Sequence, residues 1–297
     1  MTAASVTVVC ATYNARPAVR LTFASFFRHN PGPWPVYVAD NGSTDGTLEE
    51  LQPWPGIQAI TLRQRIALSH QEQALNRRAI ALLDRRYPDH GLQLAAASDQ
   101  GDPGPEAIAE HGATLDWLTA RVGTPFVLAL DSDVEFLADG CLDAMLAYAE
   151  RQGLDALGVY EPGHRGYSAR LAPYVLLLRT AVIRRLGLSF RGGSVTADPD
   201  EARRWQARPP RYRLEHGELD HYPTTRVYAT AAYMFERLVA EGRPWADLPT
   251  DIAARFHHYG HLSWGGLSDA EGGSAASRHE NALLLAAVEK ALKAYRG

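Results

Sequence analysis

Residues 6–14 read Val-Thr-Val-Val-Cys-Ala-Thr-Tyr-Asn, an apolar, β-branched run that ends abruptly in polar residues. A run without polar alternation suits a strand buried on both faces of a parallel sheet, and its polar end marks the loop that leaves it. Arg16 to His29 carries Val19, Phe23, Phe26 and Phe27 near helical spacing, and Asn30-Pro31-Gly32-Pro33 stops the helix. Val36 to Ala39 is a second buried strand, running into Asp40-Asn41-Gly42-Ser43-Thr44-Asp45-Gly46-Thr47. These pieces make a β-α-β unit whose two strands end at the same sheet edge.

The pattern extends outward from this unit. Ile57 to Leu62 predicts a third strand, Gln71 to Arg86 a helix, Ala97 to Glu106 a loop and Leu115 to Val122 a helix. Phe126 to Leu130 predicts a central strand that delivers Asp131-Ser132-Asp133 at its C-terminal end. In the second half, Leu142 to Gln152 reads as helix, Ala156 to Tyr160 as strand and Pro173 to Leu186 as core. Ser189 to Pro223 reads as a long loop and Thr225 to Glu241 as helix. A final helix from about His279 to Tyr295 is set off by the Gly- and Ser-rich stretch Gly265 to Ser277. The expected fold class is α/β, a mostly parallel sheet flanked by helices in a single domain.

Composition narrows the chemistry. Of 297 residues, 46% are hydrophobic and 22% charged, which suits a globular chain and excludes disordered and disulfide-scaffold classes. Among 30 basic residues only Lys290 and Lys293 are lysine, so 28 are arginine. A Walker-type phosphate loop needs a Gly-Lys-Ser/Thr triplet after a strand, and with no lysine before Lys290 P-loop enzymes, protein kinases and lysine Schiff-base enzymes are excluded. The net charge of −4 gives no strong nucleic-acid signal. No run is long and apolar enough for a membrane span, and the N-terminal stretch carries no signal-peptide pattern, so a cytoplasmic location is expected. Cys10 and Cys141 lie in or beside apolar runs and are expected as buried free thiols.

In an open parallel sheet, ligands bind beyond the carboxyl ends of the strands. Thr12-Tyr13-Asn14, Asp40 and Asp131-Ser132-Asp133 all fall at that edge. Two carboxylates at i and i+2 just past a strand can reach one divalent cation, which takes further ligands from substrate phosphates. The alternative is that Asp131 caps the next segment while Asp133 is solvated.

The three stretches VTVVCATYNARPAV, VYVADNGSTDGT and FVLALDSDVEF, in that order and spacing, resemble the nucleotide-sugar-dependent glycosyltransferases of family 2, which have the GT-A, Rossmann-like fold. The resemblance implies a nucleotide-sugar-binding half at residues 1–140, an acceptor-binding half at 141–265 and a linker with a C-terminal helix at 266–297. It implies that Thr12, Tyr13 and Asp40 hold the base and ribose of a UDP-linked sugar donor, with Asn14 and Asn41 as further contacts. Asn41, Ser43 and Asp45 equally suit a tight turn formed for its own sake. The resemblance assigns Asp133 to Mn2+ or Mg2+ and Asp131 to ribose or metal, as the family's Asp-x-Asp motif. It sets His111, in a small-residue helix start, beside the donor diphosphate; a capping or surface histidine is the other reading.

The turn His258-Tyr259-Gly260-His261-Leu262-Ser263 fits the family's frame for a histidine that reaches back to the metal, with His257 and His261 as rivals and a plain polar loop as the alternative. Imidazole suits Mn2+ better than Mg2+. Inverting sugar transfer needs one carboxylate base to take the acceptor proton, and Glu218-Leu219-Asp220 is the nearest counterpart of the family's acidic motif. Asp220 comes first and Glu218 second; both could instead pair with nearby arginines. Arg203 to Arg213, interleaved with Trp205 and Tyr212, either closes over an anion or is a solvated loop. The stretch between Arg63 and Pro103 exceeds what the family needs. The residues do not mark the acceptor, and a saccharide, a metabolite, a lipid-linked species, a protein and a modified nucleic-acid base all stay open. The stripe Leu284, Leu285, Val288, Leu292 and Tyr295 packs on the chain's own body or on a dimer mate. Two other readings use the same residues: a nucleotidyltransferase, which would carry a basic Gly-rich loop after the first strand, and a non-catalytic nucleotide-sugar binder, which would tolerate loss of Asp220.

Overall fold

The structure, a computed structural model, describes residues 5–41, 43, 45–51, 54, 57–61, 92–94, 104–163, 168–197, 225–260 and 275–295. Strands β1 (Val6–Thr12) and β2 (Val36–Asp40) pair in parallel around helix α1 (Arg16–His29), as the opening sequence predicts. Helix α2 (Thr47–Leu51) leads to β3 (Ile57–Thr61), which pairs in parallel with β2. Beyond β4 (Leu92–Leu94), helix α3 (Gly104–Thr119) returns the chain to β5 (Phe126–Leu130), parallel to β1 on its other side. A short strand β6 (Val134–Phe136), helix α4 (Cys141–Gln152) and strand β7 (Ala156–Glu161) follow.

Strand β8 (Arg170–Arg179) then inserts between β5 and β7, antiparallel to both. After helix α5 (Thr180–Leu186) come β9 (Gly193–Ala197) and β10 (Thr225–Tyr228), a second antiparallel sheet that β4 extends. Helix α6 (Ala232–Ala240), β11 (Trp245–Asp247), the short helix α7 (Thr250–Ala253) and β12 (Phe256–His258) lead to helix α8 (Ala275–Leu292). A single 3-10 turn, Lys293–Tyr295, completes the described chain. The main sheet has the order β11-β7-β8-β5-β1-β2-β3, in which six strands run the same way and β8 alone is reversed.

The all-apolar strands make sense because each face of this sheet is covered. Val6, Val8 and Cys10 pack with Phe23 and Phe26 of α1 and Met145 of α4, while Val9 and Ala11 pack with Leu115 and Leu118 of α3 and Met234 and Leu238 of α6. Cys10 and Cys141 are buried free thiols, as expected. Helix α8 packs its Val288 and Leu292 on Ala18 and Leu21 of α1, so its stripe covers the chain's own body. Among the described residues no helix is long and apolar enough to cross a membrane.

Several expectations are corrected. The Pro173 to Leu186 run is a strand followed by a helix, and Pro173 is tolerated because the β7–β8 register breaks between Gly158 and Tyr160, where a missing N–H costs no ladder bond. Helix α3 starts at Gly104, inside the expected loop, so His111 lies within the helix instead of at its start. Thr225 to Tyr228 is strand, with the helix beginning only at Ala232, and β9 lies within the stretch read as loop. The expected helix Gln71 to Arg86, the Arg203 to Arg213 cluster and His261 lie outside the described residues.

Candidate functional site

The site is built at the C-terminal edge of the main sheet. As β5 ends, the Asp131 N–H donates to the Tyr174 carbonyl of β8, 3.0 Å away, so the chain stays on the sheet until it turns into β6. Strand β12 pairs antiparallel with β6, setting His258 opposite Val134, and the Tyr259 N–H donates to the Asp133 carbonyl at 3.0 Å. This pairing brings His258 Nε2 to 3.2 Å from Asp133 Oδ1 and 3.9 Å from Asp131 Oδ2. One ligand atom each from Asp131, Asp133 and His258 lies within 4.8 Å of the others. Asp133 is only 3% exposed, which removes the reading of a solvated carboxylate.

The group is electrostatically coupled. Burial alone would push the Asp131 carboxyl up, but His111, whose Nε2 is 3.3 Å from Oδ1, together with His258 and Arg170, holds it below the ordinary value. Burial would pull the His258 imidazole down; its bond to Asp133 and the charges of Asp133, Asp131 and Glu161 raise it instead. Burial, followed by Asp131 and Asp133, pushes the Cys10 thiol well up, so it stays protonated and inert. His111 is buried on α3, one turn before Thr114, whose hydroxyl donates to Asn41 Oδ1 at 3.1 Å. One helix thus touches both the turn after β2 and the carboxylate after β5.

The loops after β1 and β2 are tied to one another. Asn14, at φ 46° in the left-handed region that Asn tolerates, turns the chain toward α1. The N–H groups of Asn14, Ala15 and Arg16 have no partner inside α1, and they donate to Ser43 Oγ at 2.8 Å, Thr47 Oγ1 at 2.9 Å and Asp45 Oδ2 at 3.0 Å. Asp40 is 1% exposed and accepts from the Ser43 N–H at 3.1 Å and from the Ser43 hydroxyl. Ser43, Asp45 and Thr47 therefore do the work of a turn that caps α1. Thr12 Oγ1, Asn41 Nδ2 and Ser132 Oγ are buried at this edge with no hydrogen-bond partner among the described residues. Polar atoms left so at a site are where a ligand finds its contacts.

The sequence reading missed three residues here. Glu161, at the end of β7, has its side chain 40% exposed and holds Arg170 Nε at 2.6 Å. Tyr174 stacks on His258, and its phenol is pushed up to about 12 by burial first and by Glu161. A strand ending in Glu161-Pro162 carried a signal of the same kind as Asp40, whereas nothing local marked Arg170 or Tyr174. His257, opposite Glu135, belongs to the other side of β12. Asp220 and Glu218 lie outside the described residues.

Residues 7–84 match Glycosyl transferase family 2. The match supports the resemblance to family 2 read from the first two of the three motifs; the third, at residues 126–136, lies outside it. It covers Thr12, Tyr13, Asn14, Asp40 and Asn41 but not Asp131, Asp133 or His258, whose grouping rests on geometry. Among solved structures, S. aureus TarS aligns at a TM-score of 0.41 and 15% identity over 77% of this chain and 37% of its own. S. aureus TarS 1–349 in complex with UDP aligns at 0.40 and 15% over 95% of this chain and 71% of its own. The mannosyltransferase PcManGT from Pyrobaculum calidifontis in complex with GDP-Man and Mn2+ aligns at 0.41 and 14% over 98% and 82%. The chain thus spans 37% of TarS, and 60% of another TarS 1–349 structure. No curated protein matches the chain by sequence.

Proposed function

We propose that the chain transfers a sugar from a UDP-linked donor to an acceptor hydroxyl with inversion at the anomeric carbon. The observation that carries this reading is the Asp131, Asp133 and His258 group at the sheet edge where β1 and β2 also end. Two carboxylates and an imidazole within 4.8 Å of one another fit a divalent cation, and the imidazole favours Mn2+ over Mg2+. Bound there, the cation supplies neutralising charge to a leaving diphosphate.

The chain's own residues do the rest. Thr12, Tyr13 and Asp40 hold the base and ribose, with Asn14 and Asn41 as further contacts, and Asp40 also accepts from the Ser43 N–H and hydroxyl. His111 orients Asp131 and lies beside the diphosphate. Asp220, with Glu218 as its alternative, accepts the proton as the acceptor oxygen bonds to the anomeric carbon and the bond to the diphosphate breaks. Residues 1–140 then form the donor half, 141–265 the acceptor half and 266–297 a linker with a packed helix.

Thermal unfolding of the full chain with UDP, with and without MnCl2, tests the reading. UDP at 100 times its Kd should add about 2.7 kcal/mol, and only with Mn2+ present. Asp133→Asn should lose the Mn2+-dependent part while keeping its fold. Indifference of the wild type to every nucleoside diphosphate would overturn the reading.

A further inference from the structure

Glu135 is a buried carboxylate, 8% exposed, that faces away from the metal group on the strand that carries Asp133 into β6. A buried charge is tolerated only when its oxygens are satisfied. Here the Tyr259 hydroxyl donates to Oε2 at 2.7 Å, and the Tyr295 hydroxyl reaches Oε1 at 3.1 Å, sharing its proton with the Phe136 carbonyl at 3.1 Å. Tyr259 follows His258 directly, and its own N–H bonds the Asp133 carbonyl. It also packs with Tyr295 at the seam of α1 and α8. Tyr295 is fixed from α1: Arg28 Nη1 donates to the Ala294 carbonyl at 3.1 Å and its guanidinium lies 5.3 Å from the Tyr295 ring.

We propose that Tyr259, Glu135 and Tyr295 form a clasp through which the C-terminal helix holds β12 on β6 and so sets His258 against Asp133. The inference rests on the metal reading above for its consequence, but the clasp itself is a property of the chain. All three are positioning residues. The short β12–β6 pair spans only three residues on each strand, so side-chain bonds across it carry much of its register. Groups that orient a metal-binding side chain through its neighbours change affinity about 10-fold or more when removed.

The test uses the full chain with Tyr259→Phe and Tyr295→Phe, each losing the hydroxyl that donates to Glu135 at nearly unchanged volume. Two readouts apply: the Kd for Mn2+ alone, from the free-ion EPR signal, and the hydrogen exchange of the Tyr259 amide in metal-free protein. Leu146→Ala, on the buried face of α4 and outside the clasp, is the control for stability loss. Each clasp variant should weaken Mn2+ binding about 10-fold and speed Tyr259 amide exchange, while Leu146→Ala lowers Tm and leaves both unchanged. Exchange unchanged in Tyr295→Phe, or Mn2+ binding unchanged despite faster exchange, overturns the proposal. A wild type that binds no Mn2+ overturns the metal reading instead, and the exchange arm alone then decides whether the clasp exists.

Discussion

The His258 ring lies flat on Tyr174, with centroids 4.0 Å apart and planes 20° apart, while its Nε2 points at Asp133 Oδ1 from 3.2 Å. Tyr174 sits where the β7–β8 register breaks, the kind of irregularity that re-aims a side chain beside a site. The stack fixes the imidazole plane, and the carboxylates fix its proton.

That proton competes with any cation. The His258 pKa stands above its ordinary 6.5, so the stabilisation this proton contributes is complete below 6.5 and is lost as pH rises through the raised value. The Asp131 pKa stands below 3.8, so its contribution is complete above 3.8 and lost as pH falls through the lowered value. Mn2+ must displace the imidazole proton, so its affinity should rise by up to about tenfold per pH unit until His258 is neutral and then level off. Mn2+ titrations from below pH 6.5 upward through the raised value measure this, and His258→Ala should abolish the slope.

Asp116, on the same helix as His111, carries a second pH dependence. Burial pushes its carboxyl up to about 6, against the opposing pull of the Ser189 hydroxyl, the Phe190 N–H and Arg191. The folded chain therefore keeps this proton between 3.8 and about 6, where the unfolded chain has released it, and stability falls as pH rises through that window. The difference corresponds to about 3 kcal/mol at 1.36 kcal/mol for each pH unit. Urea titrations across the window should show this fall in the wild type and a flattened curve in Asp116→Asn.

Gly112 is where α3 meets the segment that Asp116 anchors. A Cβ there would lie 2.6 Å from the Phe190 carbonyl and 2.6 Å from the Arg191 Cα, both backbone atoms that cannot swing away. Gly112→Ala should cost about 1–3 kcal/mol in urea unfolding, because helix or segment must move apart.

Asp45 should prove a structural residue of the loops after β1 and β2. It accepts the Arg16 N–H and the Thr47 N–H, each at 3.0 Å, and its charge sits at the positive end of α1. Asp45→Ala should lower stability by about 1 kcal/mol, the usual worth of a helix cap, as read from chemical unfolding.

The parts of the fold that could be read from residue order are those whose cause is local. Val8 to Ala11, Val36 to Ala39 and Phe126 to Leu130 are apolar throughout because both sheet faces are covered, and such runs leave little choice of element. Errors came where a distant partner decided. Thr225 to Tyr228 carries β-branched and aromatic residues next to a helical run, and only pairing with Gly193 to Thr196 makes it a strand. The start of α3 at Gly104-Pro105 reads as a turn by composition, although proline suits the first turn of a helix.

The amino-acid order alone determined the β-α-β beginning, the sheet edge at which Thr12, Asp40 and Asp131 fall and the Asp131 and Asp133 pair, because each depends on residues close together in the chain. Only the tertiary structure decided that His258 joins that pair, that His111 reaches Asp131 from inside α3, and that Ser43, Asp45 and Thr47 cap α1. These contacts form when segments far apart in sequence are packed side by side, and the free energy that selects them comes from the buried core as a whole, which no short stretch of residues encodes.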